Sequence, residues 1–161
     1  MAQEDYFLKI DGIKGESQDD KHKDEIHVSS FSFGVTNSGT GGSNLGSGGG
    51  RSNIQDMHFT KTVDASSPNL FIACATGKHH AKAWVYLRRA GDKPQEYLTY
   101  EMTEAYISSI TTSAHEGGGI AQESVSINFS KVKMVYTPQN ADGSPGPKNE
   151  KTYDVKANKA T

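Results

Sequence analysis

The chain has 161 residues, enough to enclose one hydrophobic core and short for two domains. Apolar residues make up 34%, charged residues 22%, and the net charge is −2, which gives no electrostatic reason to expect nucleic acid or an anionic membrane surface. The single cysteine, Cys74, cannot form an internal disulfide, in keeping with folding in the cytosol. The opening MAQEDYFLKI carries acids where a secretory leader is basic, and no apolar core follows it. No apolar run is long enough to cross a bilayer as a helix. The expectation is a cytoplasmic protein without membrane insertion which, if it leaves the cell, does so without a cleaved signal peptide.

Period-2 alternation dominates and predicts a mainly β protein. Phe7, Leu8 and Ile10 open a first strand, closed at Asp11-Gly12. ESQDDKHKDE (16–25) has no apolar residue and reads as a solvated loop. Ile26 and Val28 then alternate on one phase, and Phe31, Phe33 and Val35 on the other, with the switch at Ser29-Ser30 marking a bend or bulge. Between Thr36 and Gly50 stands TNSGTGGSNLGSGGG, whose one apolar residue is Leu45. Strand-like segments flank it, so it reads as an arm extended from one domain and not as a linker.

SSPNLFIACATG predicts a short helix at about 67–76, with Ser67 as N-cap, Pro68 at N1 and Gly77 just past the end. Strands follow at 81–89 and 96–114, the second long enough to require a bend near Thr103-Glu104. Val125, Ile127 and Phe129 alternate, and Val132, Met134 and Tyr136 continue one residue out of phase. Repeated bends predict a two-sheet, barrel-like fold. The chain reads as one domain, 1–161, with a mildly basic tail at 145–161 that is partly disordered apart from a short strand at Tyr153–Val155.

Little in the chain points to catalysis. Gly41 and Gly46 have the separation of a phosphate-binding loop, but Ser47 stands where the lysine is required. His22, His27, His58 and His115 are isolated, and the adjacent His79 and His80 diverge in an extended segment, so no metal site is expected. No G-x-S-x-G elbow is present, and Cys74 lies among apolar helix residues as an inert thiol. The carboxylate pairs Asp19-Asp20 and Asp24-Glu25 sit in the polar loop. The polar strand faces are more informative. Ser30, Ser32 and Gly34 alternate with Phe31 and Phe33, while Ser126, Asn128 and Ser130 alternate with Val125, Ile127 and Phe129. Ser108, Ser109, Thr111, Thr112 and Ser113 enrich a further strand. Small neutral side chains suit a surface beside another subunit or a wide aqueous passage. A second reading is a small-ligand-binding β-barrel, with Trp84, Tyr86, Tyr97 and Tyr100 lining its cavity.

FLKIDGIKGES (7–17), FSFG (31–34), FTKTVDASSPNL (59–70), CATGKHHAKAWVYLRRAG (74–91) and INFSKVKMVYTPQNADGS (127–144) together resemble the haemolysin-coregulated protein (Hcp) family, the tube protein of type VI secretion. The resemblance implies a barrel-like domain with one short helix, assembled as a homo-hexamer into rings that stack into a hollow tube. In that family a sheath propels the tube, tipped by a spike protein, out of the cell, and the rings carry and chaperone effector proteins in their lumen. The tube is itself the exported object, which implies a cytoplasmic protein secreted through the type VI apparatus.

By the same resemblance Ser30 and Ser32 face the lumen and contact effectors. The arm at 36–51, with Gly39, Gly41, Gly42, Leu45, Gly48 and Arg51, is a docking loop between neighbouring subunits or stacked rings. No catalytic residue, metal or cofactor is implied. Some family members carry an activity on an extended C-terminus, but only fourteen residues follow Pro147, too few for a catalytic domain.

Overall fold

The computed structural model describes residues 4–38 and 52–161. Strand β1 (Glu4–Ile10) turns at Asp11-Gly12, and a loop leads to β2 (Ile26–Val28) and β3 (Ser30–Ser32). Next come β4 (Val35–Asn37), β5 (Ser52–Ile54), β6 (Met57–Thr62), helix α1 (Ser67–Thr76), β7 (His79–Arg89) and β8 (Gln95–Ser113). The chain ends with β9 (Gln122–Asn128), β10 (Lys131–Tyr136), β11 (Asn149–Asp154) and β12 (Lys159–Ala160).

Ten strands form one antiparallel sheet that forks at β8. One limb runs β12-β11-β10-β8-β7-β1-β2; the other runs β8-β9-β6-β3. The nineteen residues of β8 serve both limbs: Leu98–Thr103 pair with β10, and Tyr106–Ser113 pair with β9. The bend lies at Glu104, whose φ of 52° breaks the extended backbone where the length of the segment demanded it. A second corner joins the limbs at Ser29, whose N–H donates to Thr60 O as the chain passes from β2, paired with β1, to β3, paired with β6. The phase switch at Ser29-Ser30 is therefore a change of partner strand. Between the limbs Leu8, Ile26, Met57, Phe59, Leu70, Val85, Met102, Val125 and Ile127 are buried in one apolar core. The result is a bent two-limbed sheet, barrel-like in outline, whose hydrogen-bonded strand order does not close among the described residues.

Several sequence expectations need correction. The out-of-phase apolar run at 125–136 is two strands, β9 and β10, broken at Phe129-Ser130. The loop 16–25 is not wholly solvated: Ser17, His22 and Glu25 are buried within it. The N-cap of α1 is Ser66, not Ser67, and Ser67 turns its hydroxyl into the core to donate to Glu123. Gly77 does adopt the left-handed conformation that ends the helix, at φ 65°. Leu70 and Ala73 face the core, whereas Phe71 and Ile72 are exposed. The tail from 145 onward carries β11 and β12, the first paired along its whole length with β10.

Candidate functional site

The limb β3-β6-β9-β8 has two chemically distinct faces, set by strand alternation. In antiparallel pairs, directly opposite residues share a face. Phe31, Phe59, Val125 and Ile110 are in register across the four strands and turn towards the core. One residue along, Ser30, Thr60, Ser124 and Thr111 are in register on the other face. Two residues further, Ser32, His58, Ser126 and Ser109 form a second such row. Ser30 Oγ and Thr60 Oγ1 share a hydrogen bond, and His58 Nδ1 lies 2.7 Å from Ser126 Oγ, which ties neighbouring strands within each row.

A register shift between Ile107 and Ser109 leaves Ser108 and Ser109 both exposed, so the bulge adds a hydroxyl to this face. Ser108 donates to Asp56 Oδ2 at 2.6 Å, and Asn128 Nδ2 donates to Asp56 Oδ1 at 2.7 Å. The face is thus mostly small hydroxyl and amide side chains, with His58 and Tyr106, which stands opposite Asn128, among them and the Asp56 carboxylate beside Ser108 and Asn128. Across β3, β6, β9 and Tyr106–Ser113 of β8 it carries no lysine, arginine or glutamate among the described residues.

Ser30 and Ser32 lie together on this wall, as the alternation predicted. Ser126, Asn128, Ser108, Ser109 and Thr111 join them. Ser130 does not, because it lies past the end of β9 and donates to Thr103 O. Thr112 is opposite Glu123 and belongs to the other face. The sequence reading missed His58 and Thr60, although the alternation of MHFTKT carries both. Gly39, Gly41, Gly42, Leu45, Gly48 and Arg51 lie outside the described residues. The strands on either side of them, β4 and β5, pair with each other as a two-stranded sheet apart from the main one.

Beneath the wall an ionic cluster holds helix α1 against β6 and β9. Lys61 Nζ lies 2.6 Å from Glu123 Oε2 and 3.0 Å from Asp64 Oδ1, with Lys61 fully buried. Ser67 Oγ donates to Glu123 Oε2 at 2.9 Å. A second cluster pins the loop 16–25 onto the other limb. The His22 ring stacks on Phe7 at 4.3 Å, with Nδ1 2.9 Å from Glu25 Oε2 and Nε2 2.5 Å from Glu96 Oε1. Burial opposes charge on His22, but the two carboxylates outweigh it and raise its pKa to about 9. Arg88 donates to both oxygens of Asp19, at 2.9 and 2.6 Å, and holds that carboxyl well below the usual range against its own burial.

Of the four aromatics considered for a ligand cavity, Trp84 and Tyr86 line an open groove of about 1180 Å³. Tyr100 is buried in the core against Phe31 and Phe33, and Tyr97 takes up Glu4 and Arg89. The interior that a ligand barrel would keep open is filled by core side chains. Among the described residues no three His, Cys, Asp or Glu converge in a way that could hold a metal ion. No helix there is long and apolar enough to cross a membrane.

Residues 7–136 match the family model described as type VI secretion system effector, Hcp. The chain is 43% identical over 141 residues to Protein hcp1 of Pseudomonas aeruginosa, covering 87% of each chain. Among solved structures it superposes on one titled as a type six secretion system protein with a TM-score of 0.91 and 30% identity, covering 99% of this chain and 100% of that one. It also matches Hcp1 from Salmonella typhimurium with a TM-score of 0.78 and 38% identity over the full length of both. The family match spans the strands and helix that build both the core and the hydroxyl wall, and the chain belongs to the Hcp family of type VI secretion proteins.

Proposed function

We propose that the chain is the subunit of a type VI secretion tube, assembling head-to-tail into hexameric rings whose lumen is lined by the β3-β6-β9-β8 wall. The observation that carries this reading is the pairing of that wall's chemistry with its two open edges. Among the described residues β3 pairs only with β6, and Ser109–Ser113 of β8 pair only with β9. A four-stranded sheet with one free edge on each side can meet a second copy edge to edge, and repetition by rotation closes a ring. Its exposed face would then line a continuous inner surface of mostly small polar groups. Such a surface holds varied protein cargo through many weak hydrogen bonds without committing to one charge pattern.

In this reading Ser30 and Ser32 contact effectors, and the segment 39–51, which joins β4 to β5 in the sequence, docks on a neighbouring subunit or ring. The spike protein caps the stack, the sheath encloses it, and the subunit leaves the cell with the tube and without a cleaved signal peptide. The protein acts as scaffold and carrier, not as catalyst. Negative-stain electron microscopy with light-scattering mass measurement tests the reading: rings of six copies are expected, and a monomer at all concentrations would overturn it.

A further inference from the structure

We propose that successive subunits grip each other through two apolar patches behind the two free edges of the wall, the exposed side of α1 on one copy packing onto β10 of the next; this rests on the ring reading. A ring built by rotation uses two different surfaces of one chain, each facing its complement on the neighbour. Phe71 and Ile72 form the first patch, 60% and 55% exposed on α1. From Ser66 to Gly77 the chain has no charged residue, although a helix facing water ordinarily carries charges on its outer side. Met134 and Tyr136 form the second patch, 44% and 42% exposed. They stand opposite Tyr100 and Leu98, so they extend the core-facing side of the sheet out into solvent.

Each patch sits behind one edge of the wall. Helix α1 packs against β8. Its first turn is tied through Ser67 to Glu123, which is opposite Thr112, and β7 follows it at His79, opposite Tyr106. The helix therefore runs behind the part of β8 that forms one free edge. At the other edge, Phe31 of β3 and the following Phe33 both pack on Tyr100, the residue opposite Met134. When the β8 edge of one copy meets the β3 edge of the next, the layer behind the first edge is α1 and the layer behind the second is β10. Phe71 and Ile72 then meet Met134 and Tyr136, with Lys151, opposite Met134, at the border of the contact. Interface cores are rich in aromatic side chains and methionine and poor in charge. The pairing also covers large apolar side chains that a lone subunit leaves in water.

The test compares full-length wild type with Phe71→Glu and Tyr136→Glu, reading mass by light scattering over a range of concentrations and folding by thermal melts. Both residues are exposed in the subunit, so each variant should melt close to wild type. The concentration at which rings come apart should rise by at least about tenfold in each. Each substitution spoils a different half of the contact, so every junction in a pure sample is broken. A one-to-one mixture restores one sound junction per pair and should give a two-copy species that neither variant forms alone. Rings that survive both substitutions, or a mixture no heavier than its components, would overturn the pairing while leaving the ring reading standing. A collapsed melting temperature would also overturn it, by assigning the residue to the fold. Wild type that stays monomeric at every concentration would overturn the ring reading and the pairing together.

Discussion

Lys61 and Glu123 face each other across β6 and β9 with 2.6 Å between Nζ and Oε2, and neither side chain is more than 3% exposed. They occupy the register position that elsewhere on this face holds Phe59 opposite Val125. A buried ion pair is weak evidence of net stabilisation, but removing one partner strands the other charge away from water. Lys61→Met should therefore lower stability by about 3–5 kcal/mol in urea titration. The double variant Lys61→Met/Glu123→Leu should recover part of that loss, the remainder reflecting Asp64 and Ser67, which also bond within the cluster. Full additivity of the two single losses would show that the pair does not act as a unit.

The second buried cluster predicts an alkaline loss of stability. His22 has a folded pKa of about 9 against an ordinary 6.5, so its contribution is fully present below about 6.5 and disappears as pH rises through 9. Glu96 shifts the opposite way, downward from 4.5, chiefly because His22 hydrogen-bonds its carboxylate. Its contribution is present above 4.5 and is lost as pH falls through the lowered folded value. Thermal melts at a series of pH values should fall on the alkaline side by an amount on the order of 2 kcal/mol. His22→Asn should flatten that fall; an unchanged alkaline slope would assign it to other groups.

These two clusters mark the limit of what the sequence made legible. Local signals were readable because they act within a few residues: Pro68 and Gly77 bracket α1, and the length of β8 required the bend found at Glu104. That Ser30 and Ser32 take the face opposite Phe31 was legible because strand alternation alone decides which face a residue takes. The true N-cap was missed because Ser67 is drawn inward by Glu123, which lies 56 positions away. His22 looked like part of a solvated loop because its partner Glu96 is 74 positions distant and belongs to β8. Arg88 was hidden by the register shift between Leu87 and Arg88, which leaves these two successive residues of β7 both buried. Polar residues buried through distant partners carry no periodic signature.

Shortening Gly39–Gly50 should separate folding from assembly. The flanking strands β4 and β5 make their own two-stranded sheet, off the ten-stranded one, so the core does not depend on what joins them. Changing the length of such a connection alters loop-closure entropy by only about 0.6 kcal/mol per doubling. The shortened chain is expected to melt within a few degrees of the parent, yet to form fewer rings or shorter stacks in electron micrographs. Normal stacking would make the segment a tolerated loop, and a collapsed melting temperature would give it a folding role.

Ser32→Gln bears on the wall itself. Ser32 is exposed on β3, the edge strand of its limb, and stands opposite His58. The longer amide projects past the row of hydroxyls, while Phe31, on the other face, keeps its contacts with Phe59 and Tyr100. Folding and ring formation should thus be unaffected. If cargo rests on this surface, the change is repeated in every subunit of a ring, so a loss of a few tenths of a kcal/mol per site becomes about tenfold or more in retention. Co-expression with an effector from the same secretion system, followed by ring purification, should recover markedly less effector with Ser32→Gln than with wild type. Equal recovery on intact rings would remove Ser32 from the contact surface, and reduced recovery accompanied by broken rings would assign it to assembly instead.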